Sequence, residues 1–139
     1  MRLVALLVLS LGLAACHKTF PKIAPDPRTV ESAVESTREY LLQSAASDFH
    51  AHGPEPARFR NVRFGYVEGA GNSQMALICG ELEPATGPGA GTWIAFSTVK
   101  TAAYEQVIGD QGGFCARPTV GWEPGDLSGE LLRRVQLAR

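Results

Sequence analysis

The clearest chemistry in this sequence belongs to Cys16, which ends the run Leu13-Ala14-Ala15-Cys16. A branched apolar residue, two small residues and a cysteine form a lipobox, in which the cysteine carries the lipid. An apolar stretch at residues 3–13 precedes it, too short to span a bilayer and typical of a signal peptide. We therefore expect residues 1–15 to be a lipoprotein signal peptide and Cys16 to carry palmitate.

A lipid anchor on Cys16 would attach the chain to a membrane of the cell envelope, facing the periplasm. His17 stands where inner-membrane lipoproteins often carry Asp, which favours the outer membrane. Three prolines keep residues 16–27 extended, as suits a lipidated tether. Two alternatives stay open: an ordinary cleaved signal that leaves Cys16 free, and docking of Phe20 and Ile23 onto the domain.

The two remaining cysteines, Cys79 and Cys115, form an even pair in an oxidising compartment. They predict a disulfide bond, because exported domains of this size commonly use one. A redox function is not indicated, since no Cys-x-x-Cys spacing occurs.

A small basic cluster, Arg58, Arg60 and Arg63, offers a second kind of chemistry. Guanidinium groups bind carboxylates or phosphates through paired hydrogen bonds. The simpler interpretation is cross-strand pairing with Glu81 and Glu83. Arg58 and Arg60 share a strand face, and Arg63 lies on the other unless a bulge intervenes. Arg60 and Glu81 are candidate binding residues.

Asp48, His50 and His52 alternate, so in an extended chain they would share one side and could suit zinc or copper. A fourth ligand is not obvious, and a solvated polar loop is the favoured interpretation. We predict no metal, no cofactor and no catalytic set, since no Gly-x-Ser-x-Gly elbow occurs and the loop at 87–91 lacks the Lys of a phosphate loop.

Two tryptophans complete the candidate binding residues. Trp93 follows the Gly-rich loop at 83–91, and Trp122 lies between Gly121 and Pro124. Either is a contact residue for a partner or an ordinary part of the core.

Composition limits the class of protein. The 139 residues are 45% hydrophobic and 19% charged, with a net charge of -1. These values are typical of a globular domain, and a nucleic-acid partner is not expected because no basic footprint is present.

The hydrophobic patterns of the sequence predict one small α+β domain over 28–139, which positions these residues. An N-terminal and a C-terminal helix are expected to pack on a three- to four-stranded antiparallel sheet. Asp26 and Pro27 are typical of a helix start, and the apolar stripe ends near residue 46. A loop is expected at 47–57. The expected strands are 59–67, 74–82 and 92–100; residues 101–110 fit helix or strand, and 127–139 fit a helix.

From Pro54 onward the sequence resembles a group of small exported proteobacterial proteins, often lipoproteins, that have no assigned activity. The shared residues are Pro54, Ala57, Phe59-Arg60-Asn61-Val62, Cys79-Gly80-Glu81, a Gly-rich loop and Phe96. The chain departs from the pattern at Pro56, at Pro84-Ala85 and at Trp93. The resemblance implies export and a small disulfide-tied α+β domain.

The sequence alone favours a non-catalytic envelope lipoprotein that binds another protein or an envelope polymer. A small periplasmic enzyme acting on envelope material is the first alternative, with Glu81 or His50 as general base. A secreted inhibitor of a hydrolase, acting through one projecting loop, is the second.

Overall fold

The computed structural model describes residues 26–69, 71, 73–100, 104–109 and 113–138 of the chain. Two helices pack on one face of a five-stranded antiparallel sheet, which confirms the predicted α+β class. The predicted signal peptide, Cys16 and the tether up to residue 25 lie outside the described residues. Within the described ranges, no helix is both long and apolar enough to cross a membrane.

The helices are α1 (Pro27–His52) and α2 (Ser128–Leu137), and a 3-10 turn spans Phe114–Ala116. The strands are β1 (Pro56–Glu68), β2 (Gln74–Pro84), β3 (Ile94–Lys100), β4 (Tyr104–Ile108) and β5 (Gly121–Trp122). They are arranged in the order β4-β3-β2-β1-β5, and all neighbours are antiparallel.

The strand count exceeds the predicted three to four because β5 adds an edge of only two residues. So short a strand leaves no alternating pattern in the sequence. The segment 101–110, which fitted helix or strand, contains β4, while residues 101–103 and 110 lie outside the described part.

Helix α1 begins where the sequence predicts. The carboxylate of Asp26 accepts a hydrogen bond from the Arg28 N–H at 3.0 Å, and Pro27 occupies the first turn. A proline costs nothing there, because the first amides of a helix have no partner within it.

The predicted end of this helix at residue 46 is wrong, and the predicted loop begins later. Ala46 and Phe49 are buried against the sheet, and this packing carries the helix on to His52. The helix ends at Gly53, whose φ of 64° favours glycine and whose N–H donates to the Phe49 carbonyl at 3.1 Å.

Strand β1 contains a bulge that decides which side chains share a face. Arg60 pairs with Glu81 and Arg63 with Cys79, so β1 contains one more residue than β2 between these two pairs. Asn61 has a φ of 55°, a left-handed conformation that asparagine tolerates better than most residues.

The bulge is held from both sides. The Val62 N–H donates to Ser128 Oγ at 3.2 Å, and the Val62 carbonyl accepts from the Leu127 N–H at 2.8 Å, which joins the bulge to the start of α2. On the sheet, a Cβ atom on Gly80 would lie 2.8 Å from Val62 Cγ2 and 3.0 Å from the ring of Phe96. Gly80 therefore makes room for the bulge.

The face of the sheet beneath the helices forms the larger core. Phe49, Phe59 and Phe96 meet in edge-to-face contacts with ring centroids 5.2–5.6 Å apart. The other buried members of this core are Leu41, Leu42, Ala45, Ala46, Val62, Phe64, Ala76, Ile78, Leu82, Leu131 and Val135.

The opposite face carries a smaller core that is covered by the segment 113–122. Its buried members are Val67, Leu77, Cys79 and Val99. The predicted disulfide is confirmed: Cys79 in β2 is bonded to Cys115 in the 3-10 turn, with Cα atoms 5.9 Å apart. The bond fixes the covering segment to the centre of the sheet.

Candidate binding face

The bulge places Arg58, Arg60 and Arg63 on the same side of β1, the side away from the helices. Arg58 and Arg60 are two residues apart in regular strand and share a face. The extra residue at Asn61 brings Arg63 back to that face. We call this surface, together with Glu81, Glu83, Trp93 and Trp122, the arginine face.

Arg60 and Glu81 form a two-pronged ion pair across β1 and β2. Arg60 Nε donates to Glu81 Oε2 at 2.8 Å, and a terminal nitrogen donates to Oε1 at 2.9 Å. Asn61 Nδ2 adds a bond to Oε2 at 3.2 Å. The hydrogen bond from Arg60 lowers the pKa of Glu81 from its ordinary value, with a further lowering from Asn61 that burial opposes.

Arg58 and Glu83 repeat the arrangement one step along the strands. Arg58 Nε donates to Glu83 Oε2 at 2.7 Å, and a terminal nitrogen contacts the same oxygen. The cross-strand pairing that the sequence favoured is thus present at both positions. The carboxylates hold the guanidinium groups in place while leaving the Arg58 and Arg60 side chains 66% and 46% exposed.

Trp93 lies against both of these arginines. The guanidinium carbon of Arg60 is 4.3 Å from the centroid of its ring system, and that of Arg58 is 5.4 Å away, both within cation–π range. Trp93 reaches them because the Gly-rich loop folds into a compact turn, in which the Thr92 N–H donates to the Gly89 carbonyl at 2.9 Å. Gly89 adopts a φ of 94° there.

At the other end of the arginine face, Arg63 lies 4.6 Å from the ring centroid of Trp122. Gly65 makes this contact possible: a Cβ there would lie 2.6 Å from the Gly121 carbonyl oxygen and 2.9 Å from Trp122 Cε3. A further stacked cation, Arg117 over Phe114 at 4.3 Å, lies on the segment that carries Cys115.

The charges on this face do not cancel. Arg58 and Arg60 are each neutralised by a glutamate, whereas Arg63 and Arg117 form no ion pair with any described residue. Glu105, on the same side of the sheet, lies three strands away from β1, in β4. The region around Arg63 is therefore positive, although the whole chain has a net charge of -1.

The alternation of Asp48, His50 and His52 does not place them on one side, because this segment is helical. Asp48 and His52 are four residues apart in α1 and meet, with His52 Nδ1 2.7 Å from Asp48 Oδ1. His50 instead lines a pocket with Glu55 and Val135. The described residues contain no group of three side chains suited to hold a metal ion.

The structure brings together three of the four candidate binding residues, namely Arg60, Glu81 and Trp93. Trp122 lies on the same face but contacts Arg63 instead. The sequence alone left the side of Arg63 open and indicated no role for Gly65 or Arg117. Asn61 was the sequence signal for the bulge, because asparagine tolerates a left-handed backbone. Asparagine also occurs in ordinary strand conformation, so the residue type alone does not predict the bulge.

Chemically, the arginine face offers fixed hydrogen-bond donors rather than proton transfer. A pKa below its ordinary value keeps Glu81 ionised at neutral pH and makes it a weak base. Glu81 and His50 lie on opposite faces of the sheet, so they do not act on one substrate together. Comparison with known proteins adds no constraint, because no family model, curated protein or solved structure matches the chain.

Proposed function

We propose that the chain is an envelope lipoprotein, anchored through lipid on Cys16, whose small domain is a non-catalytic binding module. The observation that carries this proposal is the arginine face, where a bulge aligns three arginines and two tryptophans stack against them. The lipobox is the basis for this location, and the predicted tether, which would end at residue 25 where α1 is about to begin, would give the domain reach toward a partner in the periplasm.

The side chains of the arginine face are those that dominate binding at protein surfaces. Arginine and tryptophan are enriched among residues whose truncation costs the most affinity. Here the guanidinium groups are fixed before binding, since Arg60 is held by two hydrogen bonds and by Trp93. A side chain that is already ordered loses less conformational entropy on association.

The surplus positive charge indicates the chemistry of the partner. Arg63 and Arg117 add two cations that are not neutralised within the described residues. The free edges of Arg58 and Arg60 can donate further bonds to the same kind of group. A carboxylate-bearing surface fits this pattern, on another envelope protein or on an acidic envelope polymer.

Cross-linking in living cells tests the proposal, using the full-length, lipidated chain with a C-terminal tag and mass spectrometry of what co-purifies. We expect one recurrent acidic partner, whose recovery is lost in Arg60→Ala and in Trp93→Ala. Arg133→Ala is the matched control, because Arg133 is an exposed arginine on α2, on the other side of the sheet.

Arg60→Lys separates charge from geometry. Lysine keeps the charge but loses the paired hydrogen bonds and most of the stacking. We expect Arg60→Lys to lose nearly as much partner as Arg60→Ala. Full retention of the partner by Arg60→Ala, with the variant folded, would contradict the assignment of this face.

A further inference from the structure

Among the described residues, strand β4 forms an edge of the sheet to which no further strand is paired. It is the terminal strand in the order β4-β3-β2-β1-β5, and its residues Tyr104–Ile108 pair only with β3 in the described part of the chain. Exposed strand edges are templates for pairing with another chain. Val107 on this strand is 46% exposed, so a strand paired at this edge would cover apolar surface.

The register shows which backbone groups of β4 point outward. The Gly109 N–H donates to the Ala95 carbonyl at 2.7 Å, and the ladder continues with Val107 opposite Ser97. Hydrogen-bonded pairs alternate in an antiparallel ladder, so Glu105 and Val107 bond to β3. The N–H and C=O groups of Tyr104, Gln106 and Ile108 therefore point away from the sheet.

We infer that β4 pairs antiparallel with β4 of a second copy of this chain, with Gln106 on the two-fold axis. In this register all three outward-pointing residues are used. Tyr104 of one copy exchanges both backbone hydrogen bonds with Ile108 of the second copy, and Gln106 does the same with its own counterpart. The two sheets then form one continuous sheet.

The side chains of β4 suit this pairing. Tyr104 faces Ile108 of the second copy, an aromatic–β-branched combination that stabilises antiparallel sheets. Glu105 faces Val107 of the second copy, so no like charges meet, and the Val107 side chain is covered. A register centred on Glu105 would instead place the two carboxylates opposite each other.

The helix-covered side of the sheet has an open groove of about 400 Å³ beside Tyr104 of β4. Its lining includes the short side chains Ser44, Ser47 and Ala51 of α1 as well as the longer Tyr40 and His52. Burial raises the pKa of Tyr104, with smaller contributions from Asp48 and Tyr40, so its hydroxyl stays protonated and donates to Gln106 Oε1 at 2.6 Å.

The pairing of two β4 strands does not depend on the proposed function, but it would determine how two arginine faces are arranged for a partner. A two-fold axis perpendicular to the sheet turns both arginine faces to the same side. Seven strand spacings of about 4.8 Å place the two β1 strands about 34 Å apart. A partner with acidic groups repeated at that distance would be bound at both sites and gain avidity.

Cysteine cross-linking of the full-length chain in the membranes of producing cells tests the register. Gln106→Cys is expected to form a disulfide-linked dimer on mild oxidation, because the two Cα atoms would lie about 5.5 Å apart. Glu105→Cys and Val107→Cys are the matched controls and should stay monomeric alone. Produced together with different tags, these two variants should form a mixed dimer.

A Gln106→Cys variant that stays monomeric would overturn the inference, as would equal cross-linking of all three single variants, which indicates random collision. Val107→Cys that dimerises alone overturns the register. Gln106→Pro gives an independent measurement, because it removes an outward N–H and no bond to β3. We expect loss of the dimer in sedimentation velocity, with the secondary structure retained. A dimer that persists overturns the inference.

Discussion

The two faces of the sheet are built in different ways. Beneath α1 and α2 lies a continuous core of aromatic and branched side chains drawn from both helices and four strands. On the opposite side, four buried hydrophobic residues are covered by one segment at 113–122, which carries Cys115 and Trp122. The arginine face is the charged, largely exposed part of that side.

Under the proposed function, this difference separates the residues that stabilise the fold from those that bind a partner. The helix-covered face removes most of the apolar surface from water, which is the dominant favourable contribution to folding. The opposite side of the sheet needs the Cys79–Cys115 disulfide to hold the covering segment 113–122 in place, since a short segment buries little apolar area. Substitutions of exposed arginines should therefore alter binding while leaving the free energy of unfolding nearly unchanged.

The largest effect is expected for Phe96→Ala. Its ring is 1% exposed and contacts both Phe49 and Phe59, so truncation opens a cavity in the helix-covered core. We expect a loss of about 3–5 kcal/mol in the free energy of unfolding, measured by urea denaturation. Leu137→Ala is the control, because Leu137 is 72% exposed and should change little. A Phe96→Ala loss no larger than that of the control would contradict this division of roles.

Removing the disulfide tests the other face. The bond closes a loop across a sequence separation of 36 residues. We expect the double variant Cys79→Ala/Cys115→Ala to lose about 3–4 kcal/mol. Amide hydrogen exchange should increase most at Gly121 and Trp122, which the segment 113–122 holds against β1, and least in α1. Equal loss of protection in both places would show that the two faces unfold as one unit.

Much of the fold follows from local sequence signals. Asp26 and Pro27 predict the start of α1 because both act through the first helical turn. The pairing of Cys79 with Cys115 could be predicted because they are the two cysteines that remain once Cys16 is assigned to the lipobox. The α+β class follows from the periods of the apolar residues.

The remainder depends on contacts that are distant in sequence. The last turns of α1 form because Phe49 packs on Phe59 and Phe96, and β5 exists because β1 offers it a partner. The side of Arg63 depends on one backbone angle at Asn61, stabilised by hydrogen bonds to Val62 from α2. The candidate residues Arg60 and Glu81 could be paired from sequence, whereas the extent of the arginine face could not.

A smaller effect, of opposite sign, distinguishes two neighbours in β3 that point to different faces. Thr98 points toward the helices and is fully buried, and its hydroxyl has no hydrogen-bond partner among the described residues. Thr98→Val should raise the free energy of unfolding by about 1 kcal/mol, because an unpaired buried hydroxyl is replaced by a methyl group. Ser97 is equally buried on the other face but does have an interaction partner, so Ser97→Ala should destabilise. Destabilisation by Thr98→Val would reveal a partner for its hydroxyl.

The smallest change in stability is expected on acidification, where one ion pair on each side of the sheet can be compared. Hydrogen bonds from Arg60 lower the pKa of Glu81, and those from Arg134 lower the pKa of Glu39, both from an ordinary 4.5. A carboxyl whose pKa is lower in the folded state stabilises the protein above the unfolded value. That contribution is lost as the pH falls below 4.5 and through the folded value.

Glu81→Gln and Glu39→Gln should each flatten the decline of the urea midpoint between neutral pH and about pH 3, slightly and by similar amounts, because both carboxylates are partly exposed to solvent. Only Glu81→Gln should also weaken partner binding at neutral pH, since Glu81 fixes the Arg60 guanidinium on the arginine face whereas Glu39 joins α1 to α2 through Arg134. Equal binding by both variants would mean that Trp93 alone suffices to hold Arg60 in its binding position.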